Sequence, residues 1–168
     1  MDKNKRIIKT NPYFLWDLFE KIFPANYIFS LYPPYLSAGI KVTKVENHYK
    51  YIFVELNLNF FNKNYVGTHF GGSLFAMTDP FYMLMFLKNL GKEYIVWDKK
   101  ATIEFIKATT EDVYTEFILT DEEIQFVKSE LETKKSLERI YIAEIKTKND
   151  HQTIAKVEKT LYFRRLAK

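Results

Sequence analysis

The chain has 168 residues, the length of one domain, and its 47% hydrophobic and 27% charged residues are the balance of an ordinary soluble globule. Its net charge of +4 is small, and the basic clusters at Lys3–Arg6, Lys134-Lys135 and Arg164-Arg165 are short and scattered, which argues against a nucleic-acid surface. Cysteine is absent, which excludes disulfides, thiol catalysis and zinc–cysteine sites, and three scattered histidines do not make a metal site.

No secretory signal is read at the start. Met1–Thr10 is mostly polar and the next apolar residues are interrupted by Asp17, Glu20 and Lys21, so a cytoplasmic location is expected. Asn11-Pro12 is a helix start, a capping side chain followed by proline at the first helical position. Leu15, Leu18, Phe19 and Ile22 then fall at helical spacing, which predicts an amphipathic helix over 11–23, stopped by Pro24. Residues 25–37, with Pro33-Pro34 and three tyrosines, carry neither period and are expected to form an irregular, aromatic-rich connection.

From Gly39 the pattern changes to period two. Ile40 and Val42 predict a first strand, and the alternation of Ile52, Val54, Leu56, Leu58 and Phe60 predicts a long second one, paired antiparallel through a turn at Asn47-His48. The stretch from Asn64 to Asp79 opens with polar and small residues, then runs into Leu74, Phe75, Ala76 and Met77. Phe81–Leu87 continue it, apolar on every face. A helix with no polar stripe must be wrapped by other structure. The run falls short of the roughly 20 residues a bilayer needs. A buried central helix over 71–90 is therefore expected, closed at Gly91 by a left-handed cap.

Tyr94–Trp97 with Ala101, Ile103 and Phe105 predict a third strand, and Val113, Thr115, Phe117 and Leu119 a fourth. Thr120-Asp121-Glu122-Glu123 is a capping box opening a short helix with Ile124 and Val127 on its apolar side. Leu137–Lys148 and Thr153–Arg164 are two long alternating strands joined at Asn149-Asp150. No linker or repeat divides residues 1–168, so a single α+β domain is expected, with about six antiparallel strands around one helix.

That order, with a Gly-Gly helix start and an internal aspartate, resembles the hotdog fold of acyl-CoA thioesterases, in which a curved antiparallel sheet wraps one long central helix. The local match is closest to the phenylacetyl-CoA type, which carries Asn, a spacer, His-Gly-Gly and then an Asp on the helix. Asn64 precedes Gly71 by seven positions and Asp79 follows it by eight, the spacing of that family. Gly67-Thr68 and the run from Leu74 to Asp79 also fit, and Ile95-Val96-Trp97-Asp98-Lys99 resembles an uncharacterised thioesterase-like branch. Two positions depart from the pattern: Phe70 stands where the family has its histidine, with His69 one place earlier, and Pro80 follows Asp79.

Thioester hydrolysis needs a polarised carbonyl and an aimed water or carboxylate. The free N–H groups and positive dipole end of a helix starting at Gly71 and Gly72 would make an oxyanion site, glycine letting a carbonyl oxygen approach. The same glycines would equally allow close helix–sheet packing. Asp79 is the candidate base or nucleophile, and is alternatively an N-cap for a helix that restarts after a kink. Asn64, by the resemblance, would orient the water or thioester; otherwise it is a polar turn residue. Thr68, His69, Phe70 and Ser73 flank the glycines and are the candidate substrate-binding positions, and nothing in the spacing of Thr68, Ser73 and His69 supports a serine triad. His48 and His151 fall at turns and are expected at the surface.

The resemblance further implies no metal or organic cofactor, an acyl-CoA or other acyl thioester as substrate, and a homodimer with the site between subunits, to which a pairing of dimers is added in many members. Lys63, Lys99, Lys100 and Lys107 are candidates for a basic rim holding the CoA nucleotide. Phe70 and the Asp79-Pro80 step favour a competing reading, a non-catalytic acyl- or lipid-binding protein of the same fold. A hydratase or dehydratase, which needs an Asp–His dyad, would have only His69 to supply it.

Overall fold

A computed structural model describes Phe19 and residues 22–166; apart from Phe19, Ile22 and Phe23, the helix expected over 11–23 lies outside the described residues. The stretch expected to be irregular folds instead as two short helices, α1 (Ala25–Ser30) and α2 (Pro33–Ala38). Pro33 and Pro34 occupy the first turn of α2, where a missing N–H costs nothing, and Gly39 ends it in the left-handed conformation at φ 77°. Each helix is under two turns, too short to display a period in sequence.

Strands β1 (Ile40–Glu46) and β2 (Tyr51–Leu56) form the expected antiparallel pair, Ile40 opposite Leu56 and Glu46 opposite Tyr51. Strand β2 stops at Leu56, short of the predicted Phe60. Beyond it, side chains capture the backbone: Asn62 Oδ1 accepts from Asn59 N at 2.8 Å, Asn62 Nδ2 donates to the Asn57 carbonyl at 2.8 Å, and Asp112 Oδ1 accepts from Leu58 N at 3.0 Å. Such local bonds compete with a strand ladder.

The central helix expected over 71–90 is present as two segments, α3 (Gly71–Ala76) and α4 (Phe81–Leu90). Gly91, expected as a left-handed cap, has φ 105° and ψ 171°, a backbone open to glycine but outside that cap. Strands β3 (Tyr94–Phe105) and β4 (Val113–Ile118), helix α5 (Asp121–Thr133), and strands β5 (Leu137–Thr147) and β6 (Thr153–Arg165) complete the chain. Thr120 accepts from Glu123 N at 3.2 Å, one half of the predicted capping box. The Glu123 side chain pairs with Arg139 and Tyr141 rather than returning to the cap.

The six strands make one antiparallel sheet in the order β1-β2-β4-β5-β6-β3, with β1 and β3 at its edges. Strands β4 and β5 pair only through Val113–Thr147 and Tyr114–Lys146. Beyond that pairing, Tyr82 of α4 donates its hydroxyl to the Ile142 carbonyl on β5 at 3.1 Å. Alternation supplies the inner face: Ile52, Val54 and Leu56, then Val113, Thr115 and Phe117, then Ala155, Val157, Leu161 and Phe163. Against it α4 buries Phe81, Tyr82, Met85, Phe86 and Leu90. The sheet wraps the helix, which is the hotdog arrangement. No helix among the described residues is long and apolar enough to cross a membrane.

Candidate functional site

The site begins where the central helix breaks. Pro80 has no N–H to continue the helical ladder, so α3 closes with short bonds from Thr78 N to the Phe75 carbonyl and from Asp79 N to the Ala76 carbonyl. Helix α4 restarts with Leu84 N on the Pro80 carbonyl, and Pro80 stands at its N-cap with no side-chain cap bond. Asp79 therefore does not cap the restarted helix. Its carboxylate, 58% exposed, accepts at Oδ1 from Lys159 Nζ at 2.6 Å. Its carbonyl accepts from the Tyr35 hydroxyl of α2.

Lys159 belongs to β6 and points inward, in phase with Val157 and Leu161, at 1% exposure. A buried ammonium is costly unless paired and hydrogen-bonded. Here it has two carboxylates, Asp79 and, at 3.2 Å, Asp98 Oδ2 on β3. A bulge between Asp98 and Lys100 shifts the register of β3 against β6 beside this contact. Burial pushes the Asp98 carboxyl above its usual range; Lys159 opposes the rise and the Asp79 charge adds to it. Burial, with the Asp79 charge as a second cause, also raises the Tyr35 hydroxyl far above its ordinary value, so it stays protonated as a donor.

The glycine-rich loop is held by Asn64. Its Oδ1 accepts from Val66 N and Thr68 N, each at 3.0 Å, while Nδ2 donates to Thr68 Oγ1 at 2.8 Å and to the His69 carbonyl at 3.2 Å. Both ends of the amide, and the Thr68 hydroxyl with it, are engaged within the loop. His69 turns into the body: it is 4% exposed, and its Nε2 meets the Glu111 carbonyl at 2.8 Å. Phe70 is the N-cap of α3 and is 56% exposed. Its carbonyl accepts from Ser73 N and Leu74 N, and Ser73 is buried. The Gly71 and Gly72 amides have no partner among the described residues. Aromatic rings cover the flanks of both glycines, since an added Cβ would lie 2.9 Å from Phe105 Cζ at Gly71 and 2.4 Å from Phe70 Cε1 at Gly72. Both rings belong to exposed side chains, so they limit the space beside the glycines without sealing it, and the two amides, at the first turn of the helix, have no intrahelical partner.

Of the rim lysines, Lys99 pairs with Glu138, Lys107 bonds Gln152, and Lys63 lies over the Phe60 ring. His48 and His151 are exposed, as expected. Lys159, Asp98 and Tyr35 did not figure among the expected site residues. One signal was available: Lys159 interrupts the apolar inward series Ala155, Val157, Leu161, Phe163 at an in-phase position.

A family described as a domain of unknown function, DUF4442, matches residues 20–163. The chain belongs to the DUF4442 family. This DUF4442 protein has no match among curated proteins. Solved structures similar to it include a protein of unknown function from Pseudomonas aeruginosa described as a probable thioesterase, with a TM-score of 0.73 at 16% identity over 83% of this chain and 93% of that one. A thioesterase from Haemophilus influenzae gives 0.60 at 12% identity over 85% and 90% of the two chains. The PaaI protein from the phenylacetic acid degradation operon of E. coli gives 0.53 at 13% identity over 85% and 91%. At these identities the likeness is one of fold, a sheet wrapped around a central helix.

Proposed function

We propose that this protein hydrolyses an acyl thioester, acyl-CoA being the substrate class, with Asp79 as base or nucleophile and the Gly71 and Gly72 amides as the oxyanion site. The observation that carries the reading is Asp79 itself: a carboxylate half open to water at the break in the central helix, gripped at one oxygen by a buried lysine. A carboxylate kept only for packing or capping would not need that lysine.

By the resemblance to hotdog thioesterases, Gly71 and Asp79 of one chain do not complete one site. The site is therefore assigned to a homodimer, the carboxylate of one subunit facing the free amides of the other. Asn64 and Thr68 shape the loop that presents the amides, Phe70 and Phe105 flank the acyl group, and a CoA substrate fits a cytoplasmic setting. No metal or organic cofactor has a part in this chemistry.

The test is thiol release from short, medium, long and aryl acyl-CoAs by wild type and Asp79→Asn. A positioned acid–base group contributes about a hundredfold or more, and a loss of that size in the folded variant is expected. Equal turnover by the two would remove Asp79 from the mechanism. The second reading, an acyl-binding protein without catalysis, is favoured by the rings of Phe70 and Phe105 over the glycines; intact acyl ligand retained by the wild type would establish it.

A further inference from the structure

Replacing a buried ion pair with apolar side chains of similar volume is often neutral or stabilising. Stability alone therefore explains Lys159 poorly, set in the apolar inward series of β6 and with the small Ala101 beside it on β3. Its Nζ lies between two unlike carboxylates. Asp98 is the more enclosed, with Oδ2 on Lys159 and Oδ1 buried without a partner. Asp79 is the open one, with Oδ1 on Lys159 and no partner for Oδ2 among the described residues. The arrangement has a fixed end and a presented end.

We propose that Lys159, anchored by Asp98, is a positioning residue that holds Oδ1 of Asp79 so that Oδ2 alone is presented to the acyl carbonyl or its attacking water. An exposed aspartate left to itself samples several rotamers, whereas a charge-assisted bond of 2.6 Å to a buried ammonium that a second carboxylate also pairs selects one. Tyr35 fixes the same residue from the other side through its backbone carbonyl. The inference rests on the thioesterase reading and assigns within it the reacting oxygen and the group that aims it.

The decisive variants are Lys159→Arg and the double variant Lys159→Met with Asp98→Asn, which removes the buried charges together and leaves no uncompensated ion in the core. Turnover and KM are measured separately on the acyl-CoA that the wild type cleaves fastest. The double variant is expected to lose at least about tenfold in kcat, since small misplacements of a reacting group are costly, with KM held within about threefold and part of the loss recovered in Lys159→Arg. A folded double variant with unchanged kcat would overturn the proposal. A second measurement needs no substrate: the carboxyl carbon signal of Asp98 is followed against pH in wild type and in Asp79→Asn. The charged groups facing Asp98 are Lys159 and Asp79, so removing the Asp79 charge is expected to lower the Asp98 midpoint. An unmoved midpoint would break the three residues apart and overturn the proposal even in an active enzyme. A lowered midpoint in a protein that cleaves no thioester would uphold the linked carboxylates and overturn only the hydrolase reading.

Discussion

Tyr35 donates its hydroxyl to the backbone carbonyl of Asp79, so a short helix ahead of the sheet grips the break in the central helix. Tyr35→Phe removes the donor and leaves that carbonyl unpartnered beside the core, which costs about 1–3 kcal/mol. A lower urea midpoint at unchanged slope is expected. Because the same carbonyl belongs to the candidate catalytic residue, thiol release should fall as well; a variant with the wild-type midpoint would show that the bond adds nothing to the fold.

The two glycines are predicted to differ from surface glycines elsewhere. Alanine at Gly72 would drive its Cβ into the Phe70 ring, and alanine at Gly71 would meet Phe105. Phe70 is exposed and free to swing, so Gly72→Ala is expected to change stability by no more than about 1 kcal/mol while altering kcat/KM across the acyl panel. Adding Phe70→Ala to Gly72→Ala should restore the wild-type preference if the ring is what the new methyl displaces.

His69 links folding to pH. Burial is the main cause that lowers its pKa below the ordinary 6.5, with the Glu111 carbonyl and the Asp112 charge acting the other way. The unfolded chain therefore binds more protons than the native one between the lowered value and 6.5, and the stability this imidazole contributes, full above 6.5, is lost as the pH falls toward the native value. Thermal unfolding at pH 5 should come at a lower temperature than at pH 7.5, and His69→Gln should narrow the gap.

Phe86 is fully buried and packs edge-to-face on Phe163 with ring centroids 4.8 Å apart. Phe86→Ala is expected to cost about 3–5 kcal/mol, read as a loss of denaturant midpoint. A much smaller cost would mean that the sheet collapses onto the space, and a cavity-filling probe such as xenon would then find nothing to bind.

Strand β6 and the second half of β5 were legible because one face is buried and the other wet, which writes an alternation into Ala143–Thr147 and Thr153–Arg165. The cap at Thr120 was equally plain, since its chemistry is local. The helices at 25–38 were not, because neither is long enough to show a period, and the end of β2 was hidden because Leu58 and Phe60 keep the period of two while the Asn59 and Asn62 side chains hold the backbone there. At the site, the break at Asp79-Pro80 could be read, whereas the partner of Asp79 could not. That partner stands 80 residues further on, on the inward face of a strand against which the broken central helix packs.

Lys159 has a consequence for how β6 finds its place. Side chains alternate along a strand, so a slip of one residue against β5 and β3 would withdraw the lysine and turn Glu158 or Thr160 inward. With Glu158 inside, three carboxylates would crowd together with no cation among them; with Thr160 inside, Asp98 would be sealed beside a hydroxyl. A misaligned sheet is thereby made expensive at one point, and the ammonium works as a register key for the longest strand of the fold.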